Sequence, residues 1–286
     1  MKSATVGVLL CSSFLWAGSG PKPLETLVIT NVNIVDTRYG GVEPNVTVIV
    51  KEGVTTPIAK IAMIQTGVHV HVVNAKGKYL IPGLWDLNAR ISAEADCSRS
   101  SALSLYVVNG VTGVRDMGVR DITTHAEERA RVVSDLPVPK ITFPGPTLHP
   151  ELAADVRLNA AKASGTDRAR LPGSSLHEGL ELLVKTGSTP LHALQSVTFN
   201  AALFLAKLDK FGVVERGHIA DLVLLDQNPL EDIRNTKKIA GVVLRGTYFS
   251  RPDLDGVLAQ SQRAPDLDLA KSQSWSPSPE RQPRRH

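Results

Sequence analysis

The hydrophobic period of this chain changes twice, and that change limits the folds open to it. Residues 24–83 follow a period of two. Leu27 to Asp36 is rich in β-branched residues, Val46, Val48 and Val50 alternate along a second run, and Val68 to Val73 is a third. Lys51-Glu52-Gly53 and Asn74-Ala75-Lys76-Gly77 are turn signals between them. This pattern predicts a small antiparallel sheet. From about residue 84 short strands alternate with helices, an order that implies parallel strands. Residues 212–250 return to strand chemistry, with Ala220 to Asp226 as a buried strand and Gly241 to Phe249 as another. Strands at both ends around an α/β interior predict one sheet built from both ends of the chain.

Within the interior, Ser98 to Asn109 suits a helix ended by Gly110, and Val111 to Met117 a strand. Asp121 to Val133 carries Ile122, Ala126, Ala130 and Val133 on one helical stripe. Ile141 to Phe143 is a brief third strand, ending at Pro144-Gly145-Pro146. Residues 147–173 carry no strong element. Ser175 and Glu178 have capping-box spacing ahead of a helix ended by Gly187. Thr189-Pro190 opens the next helix, and Asn200 is placed to cap a third.

The expected division is residues 1–20 as a signal peptide, 21–83 and 212–250 as the two parts of a β-sandwich, 84–211 as the α/β region, and 251–286 as a helical end with a disordered basic tail. Lys2, the apolar run Val6 to Trp16 and Ala17-Gly18-Ser19-Gly20 have the order of an export signal, so a periplasmic or secreted location is expected. Residues 260–286 are rich in Ser, Pro, Gln and Arg without periodicity, and are expected to be disordered.

Composition excludes several functions. Half of the net charge of +4 lies in that tail, and the body shows no clustered basic face of the kind nucleic acid needs. No apolar run reaches the length of a membrane-spanning helix. Cys11 and Cys97 cannot build a disulfide framework or a cysteine zinc cluster. There is no nucleophile elbow and no phosphate loop. His69 and His71 have the spacing of a metal pair on one strand face, but lack a third ligand nearby and read as solvated strand histidines. His125 reads as an exposed helix residue, His149 as a position for a repurposed ligand, and His192 and His218 as structural.

Several collinear blocks carry a resemblance. Val28 to Asp36, Lys78-Tyr79-Leu80-Ile81-Pro82-Gly83-Leu84-Trp85-Asp86, Asn109 to Gly118, Gly165-Thr166-Asp167, Leu176-His177-Glu178, Leu191 to Asn200 and Gly217 to Asp226 together resemble metal-dependent amidohydrolases, nearest the imidazolonepropionase and prolidase-like branch. The resemblance implies a (β/α) barrel of the TIM type beside a β-sandwich made from both chain ends. It implies one or two divalent metals, usually zinc, at the carboxyl ends of the strands. The metal would lower the pKa of bound water, and the resulting hydroxide would attack a C–N bond in a small-molecule amide, cyclic amide or dipeptide.

The same resemblance exposes two departures. The family places two histidines, one residue apart, directly after the Pro-Gly-Leu-x-Asp run. Here those positions are Asn88 and Arg90. Asparagine is a poor transition-metal ligand and a guanidinium has no lone pair to offer. Residues 84–211 also span about half of the roughly 250 residues that an eight-unit barrel occupies. The family's bridging lysine and two further histidines belong to the part that has no counterpart here.

Asp167 matches the family's terminal-strand aspartate, which implies a vestigial metal ligand and the catalytic proton shuttle. His177 matches a position that faces substrate, and equally reads as support for a helix end. The expected fold is α/β, an incomplete TIM-type barrel with a β-sandwich. The expected function is an inactive relative of C–N hydrolases that binds no metal. The alternatives are a weak hydrolase with a non-standard site around Asp167 and His177, or a non-catalytic binding module. An unpaired barrel edge near Ile141 to Phe143 predicts self-association of the chain.

Overall fold

The computed structural model of the chain describes residues 26–56, 70–89, 91, 99–117, 137–142 and 172–263. The expected signal segment 1–20, the helix Asp121 to Val133, the segment 147–164 and the tail from residue 264 lie outside the described residues. So do His69, Arg90, His125, His149 and Asp167.

The chain opens with β1 (Thr26–Val35), β2 (Val42–Lys51) and β3 (Val54–Thr56), then β4 (Val70–Asn74) and β5 (Tyr79–Pro82). Gly83 separates β5 from β6 (Leu84–Ala89). The α/β part continues through α1 (Arg99–Val108), β7 (Val111–Asp116) and β8 (Lys140–Thr142). Three helices follow: α2 (Ser174–Lys185), α3 (Pro190–Ser196) and α4 (Phe199–Phe204). The chain then forms β9 (Leu222–Leu225), a 3-10 turn at Ile233–Lys237, β10 (Ile239–Leu244), β11 (Thr247–Ser250) and α5 (Arg251–Arg263).

Helix starts follow local chemistry, with two differences from expectation. Thr189 caps α3 as expected, accepting the His192 N–H at 3.1 Å with Pro190 at the first helical position. Helix α2 instead starts from Gly173 in the left-handed conformation (φ 84°), with no side-chain cap, so Ser175 lies inside the helix. The reason is steric. A Cβ at Gly173 would lie 3.1 Å from Tyr106 Cα, so the start of α2 is set by close approach to α1. Likewise α4 begins after Thr198, and Asn200 sits inside it. Helix α5 runs to Arg263, so Gln260 to Arg263 are helical where disorder is expected from composition.

Eight strands form one sheet in the order β11-β10-β9-β5-β1-β2-β3, with β4 also on β1. Both ends of the chain therefore share a sheet, joined where β5 runs antiparallel to β9 with Leu80 opposite Leu224. The sheet is mixed rather than antiparallel. β4 and β5 both run parallel to β1, β4 along Thr26–Thr30 and β5 along Asn33–Ile34. A period of two reports which face a side chain takes, and carries no information on strand direction. β1, at ten residues, is long enough to hold both short strands in succession. The Ala75-to-Lys78 turn, with Lys78 N–H donating to Ala75 O at 2.9 Å, steps the chain from one to the other.

The sheet folds back until its far strand is covered. Thr55 N–H donates to His218 O at 2.9 Å, and Gly217 N–H to Thr55 O at 2.8 Å. These bonds satisfy the outer edge of β3, which would otherwise be a template for unwanted pairing. The enclosed face holds Leu27, Ile29, Val48, Val50, Leu80, Leu222, Leu224 and Val243. The other face, including Ile81, Val223, Leu225 and Val242, packs with Val107 of α1, Leu180 of α2, Leu194 of α3 and Leu254 of α5. Each such side chain contributes about 1.5–3 kcal/mol on burial.

The second sheet is β6-β7-β8, parallel throughout, as the strand–helix alternation implies. It joins the first sheet at Gly83. There the Gly83 N–H donates to Asp221 O at 2.7 Å and the Leu84 N–H to Gly110 O at 3.0 Å. A Cβ on Gly83 would lie 2.0 Å from Thr112 Oγ1 and 2.8 Å from Thr112 Cβ. Thr112 is fully buried in β7 and cannot retreat. Gly83→Ala is expected to lower stability by about 1–3 kcal/mol, the usual cost of overpacking, in urea unfolding. Gly256→Ala, which meets nothing within 4 Å and, like Gly83, is not at positive φ, is the control without a clash.

Candidate active site

In parallel α/β sheets, ligand sites form at the carboxyl ends of the strands. The chain enters β6 from the composite sheet at its amino end, so Asn88 and Ala89 lie at the end away from that junction. Asp86 stands opposite Val114 and Ala89 opposite Asp116 in the parallel pairing of β6 with β7. Met117 N–H closes the pair by donating to Ala89 O at 2.7 Å. Besides Arg115, the polar side chains that these two strands bring to the carboxyl-end half are thus Asp86, Asn88 and Asp116.

Strand alternation separates them from the apolar face. Trp85 stacks on Phe211, with ring centroids 4.4 Å apart and planes 12° from parallel. Its indole lies so close to β7 that a Cβ on Gly113 would be 2.3 Å away. The Arg115 guanidinium sits 5.2 Å from the Phe204 ring centroid on the same side. Trp85 and Leu87 pack there with Ala201, Ala202 and Phe204, so Asp86 and Asn88 take the opposite face.

Asp86 Oδ1 accepts the Asn88 N–H at 2.9 Å. Desolvation raises the Asp86 pKa above the ordinary 3.8, and this outweighs the lowering pull of that hydrogen bond. Asp116 is buried within the sheet. Among the described residues no three His, Cys, Asp or Glu side chains are grouped so as to hold a metal ion. Asn88 supplies a neutral carboxamide, and the described residues here do not make a zinc donor set.

The structure places His177 away from these residues. It lies in the first turns of α2, only 2% exposed, with Nε2 2.9 Å from Asn109 O and Nδ1 2.9 Å from Thr236 Oγ1. Asn109 lies two residues before the start of β7, so His177 is at the amino end of that strand, opposite the end where a substrate is expected. Both ring nitrogens are already engaged by the protein. This geometry suits the fastening of a helix end, the second of the two expectations. Burial holds its pKa down at about 4. No sequence signal could have paired it with Asn109 and Thr236, which are 68 and 59 residues away.

The remaining described histidines take structural places. His218 is buried, with Nε2–H donating to Leu208 O at 2.9 Å. His71 is exposed on β4, with its ring edge-on to Tyr248 at 5.7 Å. His192 is exposed at the start of α3. Asp86 and Asp116, which sequence reasoning did not single out, are the acidic groups that β6, β7 and β8 contribute.

The raised pKa of Asp86 has a defined pH signature. The native carboxyl binds its proton more tightly than the unfolded one. Its contribution to stability therefore falls as pH rises from the ordinary carboxylate value through the raised one. Asp86→Asn keeps an acceptor for the Asn88 N–H and removes this dependence. The variant is expected to show a flatter stability–pH profile above about pH 4 in urea unfolding, and to be at least as stable as the parent at pH 7. A parent and variant with parallel profiles would show that Asp86 is not desolvated.

With this geometry in hand, comparisons locate the chain among known proteins. The sequence profile of the amidohydrolase family matches residues 62–248, well over half of the chain. Ochratoxinase from Aspergillus niger is 32% identical over 117 residues, 39% of this chain and 24% of that protein. The match thus spans about a quarter of the relative's length. Among solved structures, a Xaa-Pro dipeptidase aligns with a TM-score of 0.60 at 13% identity, covering 79% of this chain and 100% of that one. Molinate hydrolase aligns at 0.58 and 15% identity, covering 81% and 95%. The ochratoxinase structure of A. niger aligns at 0.56 and 13% identity, covering 80% and 96%. At those identities the structural likeness establishes fold alone, an α/β fold of the TIM-barrel type. The breadth of the family match, over the same blocks that form β5 to β10, makes this chain a member of the amidohydrolase family.

Proposed function

We propose that this protein is a non-catalytic amidohydrolase, descended from metal-dependent hydrolases of C–N bonds in small molecules. The observation that carries the reading is Asn88 at the carboxyl end of β6. The family's metal pair begins at that position, and a carboxamide there replaces an imidazole donor. Arg90, the second position of the pair, brings a cation where a divalent ion would be held, and like charges oppose binding. Asp167 remains as the proposed vestige of the family's terminal-strand aspartate. One carboxylate does not retain a transition metal without further ligands. The ancestral substrates are proposed to be non-peptide amides, cyclic amides or dipeptides, in keeping with relatives named ochratoxinase and Xaa-Pro dipeptidase.

Metal analysis of the purified chain tests this directly. We expect well under one equivalent of zinc per chain, and no hydrolysis of dipeptides or N-acyl amides with zinc, cobalt or manganese added. Asn88→His and Arg90→His, singly, are expected not to restore binding, because the remaining ligands are missing. Stoichiometric, tightly held zinc in the unmodified protein would overturn the proposal and favour a weak hydrolase around Asp167. Capture of a small amide without turnover would favour a binding module.

Two further expectations belong to this reading. The N-terminal segment is proposed to direct export. Self-association is proposed through the outer edge of β8, which ends the β6-β7-β8 sheet among the described strands. Sedimentation over a range of concentrations is expected to show a dimer or larger species, and a monomer throughout would remove the second expectation.

A further inference from the structure

Asn45-Val46-Thr47 is the sole Asn-x-Ser/Thr triplet of the chain, and it lies within β2. A carboxamide with a hydroxyl two residues on, and no proline between, is the acceptor pattern for an N-linked oligosaccharide. Such a triplet also arises by chance. What distinguishes this one is how the fold holds it.

In a regular strand, residues two apart share a face. Thr47 is 3% exposed, so a regular β2 would bury Asn45 with it. The strand is not regular there. Its pairing with β1 steps from Val46 opposite Val32 to Glu43 opposite Ile34, so β2 holds one residue more than β1 over this stretch. That is a β-bulge. Asn45 takes a left-handed φ of 55° in it and is exposed, as are Glu43 and Pro44 before it. The Asn45 N–H donates to Asn33 Oδ1 at 3.3 Å, which satisfies the backbone of the bulge. The Asn45 carboxamide itself makes no hydrogen bond to a described residue. Space is available as well. β3 pairs with Ile49 to Lys51, and no described strand lies along the outer edge of β2 from Val42 to Val48.

The demands of the fold account for only part of the triplet. Asparagine tolerates a positive φ better than most residues, though glycine meets that need at least as well. The Thr47 hydroxyl has no such account. It makes no hydrogen bond to a described residue, and burying a hydroxyl without a partner is costly. Elsewhere β2 fills its buried positions with valine, at Val48 and Val50. An acceptor triplet explains both residues, because the carboxamide is the group modified and the hydroxyl is read by the transferring enzyme.

We propose that Asn45 is the acceptor of an N-linked oligosaccharide. This rests on the export proposed above, which brings the chain to a membrane oligosaccharyltransferase. The co-substrate is an oligosaccharide carried on a lipid pyrophosphate. Asn45 Nδ2 attacks the anomeric carbon of the first sugar. The Nδ2–C bond forms and the C–O bond to pyrophosphate breaks. The lipid pyrophosphate leaves with that electron pair, and one Nδ2 proton passes to a base of the enzyme. Nothing is oxidised or reduced. The glycan projects from the bulge into solvent beside the uncovered edge of β2.

The test is secretion of the full chain from yeast behind a heterologous leader, with peptide mapping before and after peptide-N-glycosidase. The secreted chain is expected to lose apparent mass on digestion, and residue 45 to be recovered as aspartate. Thr47→Val, which keeps the β-branched shape, and Asn45→Gly, which accepts the positive φ, are each expected to abolish the shift. Thr47→Ser is expected to retain it. A secreted chain with unmodified Asn45, or a shift that persists in Thr47→Val and Asn45→Gly, would overturn the proposal. The chain led by its own residues 1–20 reads export separately. Its retention in the cell would overturn the export reading, while the heterologous leader still decides whether Asn45 is an acceptor.

Discussion

The antiparallel pairing of β5 with β9 is the constraint on which the rest depends. It brings residues 79–82 against 222–225, and so joins the two ends of the chain into one sheet. Without it β9 to β11 would have no partner in the N-terminal strands, and Leu80, Leu222 and Leu224 would lose the enclosed face they share. β5 passes through Gly83 directly into β6. The same pairing therefore fixes where the parallel sheet begins, and Asp221 O holds the Gly83 N–H at the pivot.

From that pivot the molecule acquires a polarity. The amino ends of β6 and β7 lie against the composite sheet, and His177, Asn109 and Thr236 meet there. The carboxyl-end half of the strands carries Asp86, Asn88 and Asp116. Fastening and candidate chemistry thus lie at opposite ends of the same strands. His177, for which the sequence left both a substrate-facing and a helix-supporting place open, lies at the fastening end, because the strand it touches is met at its amino terminus.

Particular residues show what was legible beforehand. The alternation of Val46, Val48 and Val50 was enough to place Val48 and Val50 on one buried face. Thr189-Pro190 marked a helix start, because capping chemistry acts within four residues. The run Pro82-Gly83-Leu84-Trp85-Asp86 was enough to align this stretch with the family, because it is short and contiguous. The capping role of Ser175 failed for a non-local reason, since the approach of Tyr106 to Gly173 sets the start of that helix.

Sequence by itself determined the family and the broad order of the described strands and helices. Each of these is encoded in residue type and near-neighbour spacing. Only the tertiary structure decided that β4 and β5 run parallel to β1, that the far edge of the sheet is covered by residues 217–220, and that both nitrogens of His177 are spent on protein partners. Those outcomes arise from contacts between residues dozens to well over a hundred positions apart. Strand direction, edge cover and burial of a ring depend on which distant surfaces meet, and no local pattern of side chains carries that information.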